Sequence, residues 1–157
     1  MKQQALVRGA VAGMVGGVVM AMWSMLALLA SGEGFWTPLN LIAHTFWRGA
    51  PLDGTFSFGA LVLGLVVHMI MSMMLGVLGA AAVRLVRGVP STRGALAALG
   101  MAVGLVVWLV MQFAIWQAVD EAAAEAFTPW IFAVGHLMYG AVTGFGIAQP
   151  SRATATA

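Results

Sequence analysis

Two histidines, His68 and His136, are the residues best placed to do chemistry in this sequence. Each lies in an otherwise uncharged apolar stretch and is followed at four-residue intervals by small residues. The small residues are Ser72, Gly76, Gly140 and Gly144. An ionisable side chain in hydrocarbon is costly, which makes it a functional-site candidate by default. If both stripes of small residues face a common axis, the imidazoles oppose each other with room for a macrocycle, as in bis-histidine b-type haem. Alternatively, each histidine binds no cofactor and donates a hydrogen bond to a carbonyl of a neighbouring helix, or to Gln112, Ser24 or Tyr139.

Composition places these histidines in a membrane. Apolar residues make up 62% of the 157 residues and charged residues only 8%, against about a quarter charged in an ordinary soluble domain. The chain has room for about four spans of ~20 residues and for no separate soluble domain. We place the spans at about residues 6–30, 58–83, 95–118 and 129–147. The absence of cysteine excludes a disulfide and a thiolate metal site.

An internal repeat relates residues 8–84 to residues 93–152. Arg8-Gly9-Ala10 recurs as Arg93-Gly94-Ala95, and Trp23 recurs as Trp108. The histidines are each followed sixteen residues later by an arginine, which is Arg84 in the first copy and Arg152 in the second. We therefore predict an all-α four-helix membrane bundle built from two helical hairpins, related by an axis along the membrane normal.

Basic and acidic residues fall at opposite ends of the predicted spans. The basic group is Lys2, Arg8, Arg84, Arg87, Arg93 and Arg152. The acidic group is Glu33, Asp53, Asp120, Glu121 and Glu125, accompanied only by Arg48. By the positive-inside rule we expect both termini and the Arg84–Arg93 loop to be cytoplasmic. A basic strip beside a bilayer suits anionic lipid head groups rather than nucleic acid.

The first connection between spans carries a helical pattern of its own. Thr37-Pro38 predicts an N-cap followed by proline at the first helical position, and a helix then covers about residues 38–48. Its polar face is formed by Asn40, His44 and Arg48. We expect this amphipathic helix to lie on the outer surface with that face solvated. Thr128-Pro129 starts the fourth span in the same way.

Small residues at four-residue spacing predict how the spans pack. In lipid such residues let helix backbones approach closely, which replaces the hydrophobic effect as the source of association. The predicted packing positions are Gly9, Gly13, Gly17, Ser72, Gly76, Gly100, Gly104, Gly140 and Gly144.

Two segments resemble a known group of proteins. Residues 35–43 (FWTPLNLIA) and residues 135–140 (GHLMYG) look like those of small four-span bacterial inner-membrane proteins without an established function. The resemblance covers most of the chain and implies the four-span topology. It transfers no catalytic residue.

Catalytic patterns are missing from the sequence. No span holds a carboxylate or a nucleophile with a base, and no phosphate-binding glycine loop is present, so an enzyme acting alone is not expected. The leading expectation is a non-catalytic membrane subunit or accessory protein that packs through its glycine faces, on a second copy or in a larger complex. The alternative is a b-haem electron-transfer subunit that uses His68 and His136. A small ion or metal channel or carrier is third.

The charge split generates a test of topology. Asp53→Cys should react with a membrane-impermeant thiol reagent added to intact cells, because position 53 is expected outside. Arg87→Cys should be spared, and the absence of native cysteine removes background labelling. Reaction at position 87 alone would reverse the orientation.

Overall fold

Helices account for all the regular secondary structure that the computed structural model describes, over residues 2–86, 88–89 and 92–148. Four of them are long and apolar enough to cross a membrane, and they confirm the predicted four-helix fold. They are α1 (Lys2–Ala30), α3 (Phe58–Leu85), α4 (Arg93–Val119) and α6 (Pro129–Ile147). Two short helices, α2 (Thr37–His44) and α5 (Glu121–Ala126), lie in the connections. Arg87 and Arg152, used above for orientation and repeat, lie outside the described residues.

The long segments are helical because hydrocarbon offers no water to their backbone groups, which must be paired within the segment. Side chains mark where two of the helices begin. Ser57 accepts a hydrogen bond from the Ala60 amide at 3.4 Å before α3, and Thr92 accepts one from the Ala95 amide at 3.3 Å before α4. Within α4, a π-helical turn at Met111–Ile115 interrupts the α-helical hydrogen bonding.

The solvated surroundings and the Thr37 N-cap predicted for α2 were both wrong. Asn40 and His44 are buried, with 1% and 7% of their surface exposed, so they do not form a solvated face. Thr37 lies inside the helix, where its hydroxyl donates to the Glu33 carbonyl at 2.5 Å. The reason is that α2 packs against α3 and lies close to α1 and α5, which cover the polar side as well as the apolar side.

Glycines lie where the helices of each hairpin meet. A Cβ built at Gly9 would lie 2.6 Å from the Gly76 carbonyl oxygen of α3, and one built at Gly17 would lie 2.6 Å from Ser72 Oγ. Gly13 faces Ser72 and Gly76. The second hairpin has the same close approach, in which Gly100 and Gly104 of α4 face Gly140, Gly144 and the His136 carbonyl of α6. The stripes of small residues therefore face their hairpin partners and not a common axis.

The main interface between the two hairpins is formed by α1 and α6. α1 packs along α6, where Gly16 faces Thr143 and the Trp23 indole donates to the Ile131 carbonyl at 2.9 Å. The predicted repeat would pair α1 with α4 and α3 with α6, so the counterpart of this interface would be a contact between α4 and α3. Those two helices do not pack on each other. A groove between them, floored mainly by α6, takes the place of the missing interface.

The α1–α3 contact generates a packing prediction. Gly13→Leu should lower the free energy of unfolding by about 1–3 kcal/mol, the usual range for overpacking a tight contact, because even a Cβ at this position meets the Ser72 backbone. Val15→Leu on the exposed side of α1 is the matched control. Thermal unfolding in detergent, followed by tryptophan fluorescence, measures both. Equal tolerance of the two changes would show that this contact does not stabilise the fold.

Candidate functional site

The groove between α3 and α4, called here the lateral groove, contains two adjoining cavities. The larger, of about 600 Å³, lies toward the end of the bundle that carries α2. The smaller, of about 420 Å³, lies toward the end that carries Arg8, Arg84 and Arg93, called here the arginine end. Leu75, Val107 and Tyr139 line both cavities and mark their junction.

The lateral groove is open on its lipid-facing side. Leu78 on α3 and Val103 on α4 line the smaller cavity, yet 61% and 54% of their surfaces are exposed. At the other end Pro38, Leu39 and Ile42 of α2 form a roof over the larger cavity. The groove is therefore open on the side between α3 and α4.

The lining is almost entirely apolar and carries no fixed charge. Neither cavity is lined by Lys, Arg, Asp or Glu among the described residues. The polar side chains of the larger cavity are Ser24, Thr45, Ser72, His68, His136, Tyr139 and Trp116. A mainly apolar pocket with a few convergent polar groups is the usual form of a small-molecule site.

His68 is held by the backbone of α1. Its Nε2 lies 2.9 Å from the Gly17 carbonyl oxygen, and the residue is buried. Because a carbonyl oxygen only accepts hydrogen bonds, Nε2 carries the proton. In the neutral ring Nδ1 is then a bare acceptor, and it has no hydrogen-bond partner in the described part of the chain.

His136 is held by its own helix. Its Nδ1 donates to the Phe132 carbonyl at 2.8 Å, one turn earlier in α6. The neutral ring therefore presents Nε2 as the acceptor. Neither this nitrogen nor Nδ1 of His68 has a hydrogen-bond partner within the described residues, and both rings line the larger cavity.

Ser24 adds an unpartnered hydroxyl to the same cavity. The residue is 2% exposed, and its Oγ has no hydrogen-bond partner within the described residues. A Cβ built at Gly135 would lie 3.3 Å from this oxygen, so Ser24 faces α6 beside His136. The Thr45 hydroxyl, at the roof, is also buried and unpartnered. Buried polar atoms are nearly always paired, and each exception requires an explanation.

Tyr139 is satisfied, in contrast to Ser24. Its hydroxyl donates to the Ser72 carbonyl at 2.6 Å and joins α6 to α3 at the junction of the two cavities. The π-helical turn of α4 contributes Met111 and Ile115 to the opposite wall. Turns of this kind occur frequently at functional sites.

A buried polar cluster ties the two outer connections together. The Asp120 carboxylate accepts a hydrogen bond from His44 Nδ1 at 2.7 Å and forms a salt bridge with the Arg48 guanidinium at 2.5 Å. The Asp120 side chain is 1% exposed. Burial alone would raise the pKa of this carboxyl. The hydrogen bonds from His44 and the Ala123 amide, with the charges of His44 and Arg48, outweigh burial and hold the pKa below its ordinary value.

Sequence reasoning named most, though not all, of these residues. The structure brings His68 and His136 to one cavity, while His44 and Arg48 lie apart from it in the Asp120 cluster. Ser24 and Tyr139 had no pattern that singled them out as site residues. The partnership of Asp120 with His44 spans 76 positions of sequence, and no local spacing signals a contact of that kind.

The Asp120 cluster predicts how stability depends on pH. The folded-state pKa lies below the ordinary 3.8, so the carboxylate stabilises the fold above that pH, and this contribution is lost as the pH falls through the folded pKa. Asp120→Asn should therefore cost about 1–3 kcal/mol at pH 7, and the difference from the wild type should shrink below pH ~4. Thermal unfolding across the pH range measures this difference, with exposed Glu125→Gln as the control. A constant difference down to pH 3 would contradict the assignment.

Similarity to known proteins adds no assignment to this site. Comparisons with models of protein families, with curated proteins and with solved structures find no match.

Proposed function

We propose that the protein is a non-catalytic integral membrane accessory protein that holds an apolar, membrane-dissolved molecule in the lateral groove. One observation carries this proposal: two adjoining apolar cavities occupy the place of a missing helix–helix interface and open toward lipid. Their volumes of about 600 and 420 Å³ fall within the ~300–1,000 Å³ typical of ligand pockets.

The placement of charges supports an orientation for the groove. Arg8, Arg84 and Arg93 lie at one end of the helices, and the acidic residues lie at the end that carries α2. By the positive-inside rule the arginine end faces the cytoplasm and α2 the outside. In a bacterial inner membrane the larger cavity then lies in the outer half of the bilayer.

The glycine faces are already covered by helices of the same chain, which supports the groove, and not the glycines, as the place where the protein binds another molecule. Gly13 and Gly17 are covered by α3, and Gly100 and Gly104 by α6. Gly13 and Gly17 therefore offer no surface to a second copy or to a partner helix, and Gly100 and Gly104 line the smaller cavity of the groove. A larger complex would have to use other faces of the bundle.

The absence of a reactive arrangement supports a non-catalytic role. Neither cavity is lined by a carboxylate, and no serine hydroxyl lining the larger cavity bonds to an imidazole in the described structure. General acid–base and nucleophilic catalysis both need such a pair within hydrogen-bond reach.

Haem ligation by His68 and His136 is the second candidate. It is favoured by the two bare nitrogens at one cavity, because ligating histidines usually donate their other N–H to a backbone carbonyl or carboxylate. The lining argues against it, since no described cation lines the cavity to receive haem propionates. A Soret band in protein expressed with ample haem, lost in His136→Phe, would establish haem as the occupant in place of an apolar molecule.

The groove is tested by blocking the junction of its cavities. Val107→Trp should fill that junction, whereas Val106→Trp places the same bulk on a 58% exposed position of the same helix. The probe is dodecylbenzene, which is purely apolar. Titrated into protein in detergent, it should raise the unfolding temperature of the wild type and of Val106→Trp, and leave Val107→Trp unchanged.

Two results would contradict the proposal. Dodecylbenzene without effect on the wild type would mean that the groove binds no apolar molecule. Equal stabilisation of Val106→Trp and Val107→Trp would mean that the molecule binds elsewhere. Folding of both variants is checked beforehand by gel filtration.

A further inference from the structure

We propose that Ser24, His68 and His136 form a recognition centre for the hydroxyl head of a neutral amphiphile whose tail lies in the smaller cavity. This inference rests on the proposed function and adds the chemical class of the ligand. The ligand class is that of lipid-soluble alcohols and phenols, which combine a hydrogen-bond donor with a long apolar body.

The donor requirement follows from the two imidazoles. Each ring uses its N–H on a backbone carbonyl, at 2.9 Å for His68 and 2.8 Å for His136. What remains on each neutral ring is a lone pair that only accepts. A carbonyl or ether oxygen would find no donor on these rings, whereas a hydroxyl can donate its proton to either lone pair.

The Ser24 hydroxyl extends the same centre. It is unpartnered and 2% exposed, and it both donates and accepts. A ligand hydroxyl that donates to an imidazole has lone pairs left over, and Ser24 can donate to one of them. Binding would thereby satisfy an oxygen that the protein leaves without a partner.

The ligand is expected to be uncharged because no basic side chain lines the groove in the described structure. Moving a phosphate or carboxylate into hydrocarbon without a countercharge is strongly unfavourable. The described lining of both cavities contains no lysine or arginine. Phospholipid head groups and ionised fatty acids are therefore poor ligands for this centre.

The direction of the tail follows from the smaller cavity. Its lining is apolar apart from Tyr139 and Thr143, and the Tyr139 hydroxyl is already bonded to the Ser72 carbonyl. At the other end α2 forms the roof of the larger cavity. A tail attached to a head beside His136 thus extends toward the arginine end.

Matched probes test the head without any mutation. Dodecylbenzene, 4-dodecylphenol and 4-dodecylanisole share a ring and a tail, but only the phenol donates a hydrogen bond. In titrations of the wild type at fixed detergent concentration, the phenol should bind about tenfold more tightly than the anisole, the amount that one net hydrogen bond supplies.

Variants then locate the preference in the structure. His136→Phe should reduce the ratio of phenol to anisole affinity severalfold, and Ser24→Ala should weaken both of these probes severalfold, while dodecylbenzene still binds. Tyr139→Phe is the control, because its hydroxyl is already committed to the Ser72 carbonyl, and it should keep the ratio. His136 bonds only within its own helix, so its replacement removes no contact between helices of the kind His68 makes with Gly17.

The outcomes separate this inference from the proposed function. Equal binding of all three probes overturns the hydroxyl centre and leaves the groove as an apolar site. No binding of any probe overturns both. Preference for Zn²⁺ or haem over the phenol, lost in His136→Phe, overturns the hydroxyl centre by making the two nitrogens metal ligands.

Discussion

Close backbone approach within each hairpin is the constraint on which the rest of this structure depends. In a bilayer, burying apolar side chains between helices gains little because lipid tails are equally apolar, so packing contacts must hold the helices. Gly13 against Ser72, and Gly104 against His136, bring the backbones of α1 and α3, and of α4 and α6, into direct contact. The main interface between the two hairpins, between α1 and α6, leaves α3 and α4 apart.

The groove can hydrogen-bond a ligand only through the polar atoms that the helices do not already pair with one another. The Tyr139 hydroxyl and one nitrogen of each histidine donate hydrogen bonds to backbone carbonyls. These bonds fix the rings, and they also decide that the unspent atoms are acceptors. Ser24 is the exception, since its hydroxyl is buried without a partner. The hydrogen-bonding character of the site therefore depends less on its residue types than on which donor and acceptor atoms remain free after the internal hydrogen bonds are made.

Much of the fold could be predicted from the sequence because the spans are long apolar runs. The observed helices begin and end within a few residues of the predicted spans. The burial of α2 could not be predicted, because an eight-residue pattern shows that one face is polar without showing what covers it. Asn40 donates to the carbonyls of Asp53 and Thr55, and His44 meets Asp120. Such contacts depend on tertiary structure. The open space between α3 and α4 could not be predicted either, because nothing in the sequence shows which helices of a bundle pack on each other.

Because α2 forms a roof over the larger cavity, the concentration of a ligand in the membrane, and not in water, would determine how far the site is filled. Under the proposed function, a molecule held in the groove, which α2 covers at one end and which opens between α3 and α4, exchanges with the bilayer rather than with water. Occupancy is then set by the mole fraction of the molecule in the membrane, so a weak intrinsic preference over the surrounding lipid is enough to fill the site. The rate of exchange follows lateral diffusion in two dimensions, and molecules too insoluble to cross an aqueous phase remain accessible to it.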